Sequence, residues 1–417
     1  MNFDDNLSEA AFREQARAWI AANKPSHLEV ELKCSMAQSI DNVHLPSLAG
    51  FDPMVESRAW QKKKFDAGWA CISWPKEYGG RGASQMERVI WLQEEGIYAA
   101  LTHVFQTGQV MGGATLIAHG SEQMKQRYLP RLASGEDLWC QMFSEPSGGS
   151  DLAALRTKAE KLPNGDWKLN GSKIWTTHAQ MADFGLLIVR TDPDVPKHKG
   201  LTMFVLDLKL PGVSVRPIRQ MSGEACFNQV FFTDVILSDD VRIGDVSAGW
   251  KISLTTLMNE RLLLGSMPDT GIDALLSLCA ATKIGSHAAI DDPAVRAKIA
   301  MWTAQTNGLK FAMMRAISDM SSGRPPGPEY SVGKLVADEM LQQVCQFALD
   351  LLGQSGVLVG PGDPGAPFVN KLLKSPSVRV GGGTSEIQRN IIAERVLKIP
   401  QEPRPDKGTP YSQLART

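Results

Sequence analysis

Three stretches of the chain carry residues whose types and spacing suit catalysis. The first is Trp139 to Asp151, WCQMFSEPSGGSD, an apolar segment that opens into a small-residue loop ending in a Ser-Asp pair. Gly148 and Gly149 let backbone N–H groups approach a phosphate or a ring closely, and Ser144 and Ser150 add hydroxyls. The second is Lys173-Ile174-Trp175-Thr176-Thr177, where an aromatic ring beside two hydroxyls suits a flat, hydrogen-bonding cofactor. The third is Glu260 in LMNERLLLG, a carboxylate inside a strongly apolar helix. It shares a helical face with Leu257 and Leu264, and Leu254, Met258, Leu262 and Leu263 surround it. A carboxylate in apolar surroundings suits a general base working near neutral pH. Together the three read as a flavin site with a base. Each also has a plainer reading. The loop fits a tight turn between domains, Trp175 alone fits a core residue, and Glu260 fits a structural pair with Arg261 or a neighbouring helix.

Composition limits what such a site can serve. The 417 residues suffice for two or three domains and a large core. A hydrophobic share of 43% with 21% charged residues is that of an ordinary globular protein. The net charge of -1 removes the broad electrostatic reason to expect nucleic acid or an anionic membrane as partner. Cys34, Cys71, Cys140, Cys226, Cys279 and Cys345 are widely spaced, with no CxxC, and the histidines form no HExxH pair. A reduced chain without a metal centre is therefore expected. No apolar run approaches the ~18 residues of a membrane span, and the C-terminal LART is not a peroxisomal tripeptide. A cytoplasmic chain with no membrane partner follows as the expectation.

The elements that must position these residues fall into three blocks, an α+β arrangement. Residues 1–137 read as an N-terminal helical domain, with a helix over 6–22 capped by Ser8, another over 57–68, and one that starts at Ser84 with Glu87 in a capping box. Residues 24–53 are polar and carry Pro25, Pro46 and Pro53, so they read as an excursion outside the core. The glycine cluster between Ser73 and Gly82 is a tight connector, since it lacks the Lys-Ser/Thr ending of a phosphate loop. Residues 138–244 change to short β-prone runs at 167–169, 184–189, 202–206, 213–218 and 230–232. Asn164-Gly165 and Asn170-Gly171 are hairpin or turn signals between them. Residues 245–417 return to helices over 250–265, 294–322, 332–352 and 386–396. The stripe Val332, Leu335, Val336, Met340, Val344, Phe347, Ala348 and Leu351 marks one buried face, with Gly353 as its C-cap.

Five stretches in this order, GWACISWPKEYGGRG, YLPRLASGEDLWCQMFSEPSGGSDLAALRTKA, LNGSKIWTT, AGWKISLTTLMNERLLLG and GGGTSEIQRNIIAERVL, resemble the acyl-CoA dehydrogenase family over nearly the whole chain. The resemblance implies an N-terminal helical domain, a middle β-barrel domain and a C-terminal four-helix bundle. It implies FAD at a subunit interface, an acyl-CoA substrate, an electron-transferring flavoprotein as acceptor, and a homodimer or homotetramer. By the same resemblance Met142, Phe143 and Ser144 lie against the flavin, and Ser150 is shared by cofactor and CoA. Trp175 packs beside the isoalloxazine, and Thr177, next to Thr176, reaches its N5 edge. Thr384, Ser385 and Glu386 touch the adenosine half of FAD. Arg261 takes the place of a substrate-side arginine, and Gly382, with Gly383 beside it, offers the N–H that polarises the thioester carbonyl.

Two departures from the family pattern matter. Most members carry a glutamate directly before the Gly-Thr of the last motif, where this chain has Gly382. A minority, resembling the isovaleryl-CoA and long-chain enzymes, place the base on the earlier helix, and Glu260 falls there. The usual arginine given to a neighbour's FAD pyrophosphate is also missing: the matching region reads ATKIGSH from Ala281 to His287, and the usual Gln-x-x-Gly-Gly reads DLLGQ from Asp350. Either Lys283 substitutes, or a heterotetramer supplies the missing group, as in some steroid-side-chain members. The implied reaction is α,β-dehydrogenation to a trans-2-enoyl-CoA. A flavin oxidase or monooxygenase of the same fold and a non-catalytic subunit of a heteromeric enzyme are the alternatives.

Overall fold

Asn6, rather than Ser8, caps the first helix. Its side chain accepts from the N–H groups of Ser8 and Glu9, while the Glu9 carboxylate accepts from the Asn6 N–H, which completes a capping box. The computed structural model describes residues 5–38, 47–264, 270–321, 327, 328, 330–360, 362–404 and 406–414. The N-terminal helices are α1 (Leu7–Asn23), α2 (Glu29–Gln38), α3 (Pro53–Asp66), α4 (Gln85–Glu95), α5 (Gly113–His119) and α6 (Glu122–Ser134). Ser84 and Glu87 form the expected capping box on α4. The expectation for residues 24–53 is corrected, because α2 lies within them and Leu28, Leu32 and Leu48 are buried against Trp60, Trp69 and Trp91. Pro25 precedes a single 3-10 turn and Pro53 sits in the first turn of α3, so both prolines border elements instead of breaking them. Residues 39–46, with Pro46, lie outside the described residues. Trp69 stacks on Trp91 at 4.6 Å, and Trp19 packs against both and against Trp60. The connector at 73–82 is tight as expected: a Cβ on Gly80 would fall 2.2 Å from the Trp74 carbonyl oxygen.

The middle sheet comprises β1 (Trp139–Met142), β2 (Lys158–Lys161), β3 (Trp167–Thr177), β4 (Phe184–Arg190), β5 (Leu201–Asp207), β6 (Val213–Ile218), β7 (Phe227–Leu237) and β8 (Arg242–Ile243). Its order is β6-β7-β3-β2-β4-β5-β8, with β1 added in parallel along β4. Alternation along β4 splits its side chains between two cores. Leu187 and Val189 join Met142, Leu169, Phe204, Val230 and Val235 inside the sheet. Leu186 and Ile188 face the other way, onto Trp139, Phe143, Tyr128 and Ile252. The turn expected at Asn170-Gly171 is instead part of β3. Gly171 sits at φ 142 where β3 shifts register on β7, and a Cβ there would come within 2.8 Å of three Thr157 atoms. Asn170 exchanges hydrogen bonds with Asp234 across that shift.

The C-terminal part contains α7 (Gly249–Leu264), α8 (Ile272–Ala281), a small hairpin of β9 (Lys283–Ile284) and β10 (His287–Ala288), then α9 (Pro293–Ser321), α10 (Tyr330–Leu352), α11 (Ala366–Val380) and α12 (Ser385–Ile391). Met340, Leu341, Val344, Cys345 and Ala348 of α10 pack with Ile272, Leu275, Trp302 and Phe368. Val332 is exposed, so the buried stripe begins after it, and Gly353 turns to φ 54 as the expected C-cap. The helix expected over 386–396 is α-helical only to Ile391 and continues as a π turn, Ile392–Val396. The expected ends at Gly265 and Ser322 lie outside the described residues. No helix among the described residues is long and apolar enough to cross a membrane. Replacing Leu32 by Ala should lower unfolding stability by about 2–5 kcal/mol in a urea titration; a loss below ~1 kcal/mol would return this stretch to the outside of the core.

Candidate active site

Strand β1 delivers the chain into the 143–151 loop, and a buried ion pair fixes that loop to β3. Lys173 and Glu145 meet at 2.8 Å, both almost wholly buried. Lys173 also donates to the Phe143 carbonyl at 3.0 Å, and the Glu145 carboxylate accepts from the N–H groups of Arg156 at 2.6 Å and Thr157 at 3.0 Å. Glu145 and Gly148 exchange backbone hydrogen bonds at 3.0 Å, and the Ile174 N–H donates to the Ser144 carbonyl. The loop is thus a tight turn, and a rigid one. Burial would push the Glu145 carboxyl up, but the Lys173 ammonium and the Arg156 N–H bring it below its ordinary value. Burial pulls the Lys173 ammonium down against Glu145. The three donors converging on Glu145 favour its carboxylate form.

Trp175 is not a core residue. The residue is 54% exposed, and its backbone takes φ 59, a left-handed conformation rare for a bulky residue. The strain coincides with a second register shift between β3 and β7, between Lys173 and Thr176, and this bulge turns the indole outward with its edge on Phe227. Thr177 and Ser144 are half-buried and Ser150 is exposed. A Cβ on Gly149 would meet open space, whereas Met142 points into the sheet interior and Phe143 into the interdomain core. Thr176 is fully buried, which corrects the picture of two hydroxyls side by side on one surface. The alternation of β3 aims them oppositely, and Asn228 holds the Thr176 carbonyl at 3.0 Å.

Helix α7 is set by its polar inner face. Ile252, Ser253 and Thr256 are buried, Thr256 bonds Thr115 at 2.8 Å, and Thr255 bonds His119 at 2.8 Å, both partners lying on α5. Glu260 ends this face half-buried, and its carboxylate accepts from the Gln141 side-chain amide of β1 at 3.3 Å. The apolar sheath expected around Glu260 is corrected on one side. Leu254 and Met258 are 48% and 44% exposed, because they project from the face of α7 opposite its packed side. The side chains of Arg261, Leu262, Leu263 and Leu264 lie outside the described residues. The structure therefore gathers the loop, Trp175 and Glu260 around β1 and β3.

The C-terminal motif forms its own assembly on α10. Gly382 and Gly383 take φ 67 and 98, and the Gln388 amide donates to both of their carbonyls. Thr384 caps α12 through the Ile387 N–H, Ser385 is buried under Arg379, and Arg379 reaches Gln342 of α10 at 2.9 Å. Glu386 is exposed and lowered from its ordinary value by its own backbone N–H and by Thr384. Lys283 is exposed on the β9–β10 hairpin.

Three participants escape a motif-based reading: Gln141, Glu145 and Lys173. A signal for Lys173 exists, since it keeps the parity of buried Trp167 and Leu169 along one strand. A lysine at an inward position needs a carboxylate, and Glu145 is the acid in the quoted loop.

Known proteins resemble the chain along most of its length. The description "Acyl-CoA dehydrogenase, N-terminal domain" matches residues 29–136, "middle domain" matches 140–235 and "C-terminal domain" matches 247–397. The acyl-CoA dehydrogenase IpdE1 of Mycobacterium tuberculosis is 34% identical over 402 residues, which cover 94% of this chain and 98% of the relative. The acyl-CoA dehydrogenase FadE34 of the same organism is 34% identical over 344 residues, 81% of this chain but 45% of the relative. The ChsE4-ChsE5 complex from Mycobacterium tuberculosis superposes with TM-score 0.79 at 26% identity, covering 96% of this chain and 100% of that chain. The Tcur3481-Tcur3483 steroid ACAD gives 0.78 at 25% identity over 96% and 100%.

Replacing Lys173 by Met leaves a buried carboxylate unpaired and should cost about 3–5 kcal/mol in denaturant titrations. Because the folded Glu145 value is depressed, its contribution is complete above the unfolded carboxylate value of about 4.3 and is lost as pH falls through the lower folded value. Urea titrations should show wild-type stability declining below about pH 4 more steeply than in Glu145→Gln; equal slopes would remove the pair from the acid response.

Proposed function

Since the chain belongs to the acyl-CoA dehydrogenase family of oxidoreductases, we propose that it performs FAD-dependent α,β-dehydrogenation of an acyl-CoA to the trans-2-enoyl-CoA, with an electron-transferring flavoprotein as acceptor. One observation carries the reading: Gln141, on the strand that enters the 143–151 loop, hydrogen-bonds Glu260, so a carboxylate stands beside the loop although the C-terminal motif has Gly382 where most relatives have glutamate.

The residues present fit FAD. An outward Trp175 on a strained bulge, the open side of Gly149 and the hydroxyls of Ser144 and Thr177 form a surface suited to a flat ring with hydrogen-bonding edges. Thr384, Ser385 and Glu386 are assigned to the adenosine half, and Ser150 and Arg261 to the CoA side. When bound, FAD supplies the acceptor for the two electrons and hydrogen that leave Cβ. Glu260 takes the proton from Cα, the electron pair of that C–H bond forms the double bond, and the thioester carbonyl accepts a hydrogen bond from the Gly382 N–H while negative charge develops on it. Trp175 and the loop cover the reacting region against water.

The reading keeps the divisions after residues 137 and 244 and a cytoplasmic location. A bulky acyl group is favoured, because one of the similar structures is a steroid ACAD. A partner-dependent assembly is favoured over a homo-oligomer by the missing arginine in the 281–287 hairpin, and the ChsE4-ChsE5 structure is a complex of two different proteins. Colourless protein when purified alone, turning yellow with a neighbouring gene's product, supports the heteromer; a flavin spectrum from this chain alone supports self-association. In the flavin-loaded protein, Glu260→Gln should slow anaerobic bleaching by acyl-CoA about 10²–10⁴-fold with the visible spectrum retained. Bleaching at the wild-type rate would sink the assignment of the base.

A further inference from the structure

Residues 406–414 lie along the middle sheet. Pro410 pairs with Pro196 in an isolated antiparallel bridge, and the N–H groups of Tyr411 and Ser412 donate to the carbonyls of Val195 and Pro193 at 2.9 and 2.8 Å. Lys197 stands between Asp406, at 3.5 Å, and Asp151, at 2.7 Å. Behind this bridge Arg190, almost wholly buried, lies 3.6 Å under the Tyr411 ring. Arg190 donates to the carbonyls of Ala153 at 2.5 Å and Leu155 at 3.2 Å, and the Tyr411 hydroxyl donates to the Ala154 carbonyl between them at 3.2 Å. Three successive carbonyls, the first of them two residues after Asp151, are thus secured by an arginine of β4 and a tyrosine from the C-terminal segment. The 193–198 loop also reaches the helix that carries Glu260, where His198 sets its ring edge on Trp250 at 4.6 Å.

We propose that Tyr411 is a positioning residue: with Arg190 it latches the backbone of residues 153–155 and so sets where Ser150 stands for the CoA part of the substrate. This rests on the reading above that Ser150 meets CoA. The Tyr411 ring gives the buried guanidinium a cover that excludes water, and its hydroxyl takes the one carbonyl that Arg190 spans without bonding. Lys197 ties Asp406 of the same segment to Asp151.

Hydrogen exchange in the flavin-loaded, full-length protein tests the latch independently of turnover. Tyr411→Ala should speed exchange across residues 148–157 about tenfold, the scale of one hydrogen bond with a cation–π contact, and leave the α10 core unchanged. Tyr411→Phe, which keeps the ring and is safe for folding, should give a smaller increase in the same peptides. KM for acyl-CoA should rise with the exchange rate while kcat stays within about twofold, a split expected when uniform binding is lost. Ser150→Ala is the control, and it should raise KM by itself. With that control positive, unchanged exchange in Tyr411→Ala, or faster exchange with unchanged KM, overturns the proposal. With the control negative, Ser150 does not meet substrate, the linkage to KM falls, and exchange alone decides whether the latch exists.

Discussion

The pairing of Lys173 with Glu145 is the constraint on which the site's geometry rests. Removing an ammonium and a carboxylate from water costs several kcal/mol each, and their attraction offsets this only when the remaining donors and acceptors are also placed. Here they are: the carboxylate has two backbone N–H groups besides the ammonium, and the ammonium has the Phe143 carbonyl. Such a pair adds little net stability over a packed apolar substitute, but it admits one register only. Any slip of β3 by one residue would turn Lys173 outward and leave Glu145 buried alone. The pair thus fixes loop and strand relative to each other, and with them Ser144 and Trp175.

The second dependence runs through β1. It is a short strand, parallel to β4 from Trp139↔Phe184 to Met142↔Leu187, and its residues serve three directions. Trp139, with Phe143 just beyond the strand, faces the helical domain, Met142 fills the sheet interior, and Gln141 reaches Glu260. Helix α7 meets it from the far side, anchored by threonines to α5. Its exposed Leu254 and Met258 show that the outer face of α7 is incompletely covered within one chain.

Much of this was legible in the sequence, and the exceptions have physical causes. The helix, strand, helix order followed from periodicity, and the capping box at Ser84 and Glu87 and the C-cap at Gly353 were read correctly from local chemistry. The turn assigned to Asn170-Gly171 failed because the same residue types that favour a turn also favour a bulge, and only the neighbour Thr157 decides between them. The stretch 24–53 failed because the apolar residues of α2 mark no single buried face, with Val30 exposed and Leu32 buried, and the other buried leucines, Leu28 and Leu48, lie outside the helix. In the site, the motif residues were found as types, but the partners that position them were not. Gln141 lies 119 residues from Glu260, and no local pattern reports a contact at that range.

The C-terminal segment gives the site a temporal order. Tyr411 meets Ala154 across 257 residues of sequence, while Lys173 meets Glu145 across only 28. On the ribosome, where chains lengthen by about 5–20 residues per second, the loop can be pinned to β3 soon after the sheet emerges. The carbonyl of Ala154 acquires its hydroxyl partner only after residue 411 has been made, about 8 seconds later even at the fastest of those rates. Synthesis therefore leaves an interval in which the middle sheet is paired and Arg190 can already hold the carbonyls of Ala153 and Leu155, yet the Ala154 carbonyl lacks its hydroxyl and the guanidinium its ring cover.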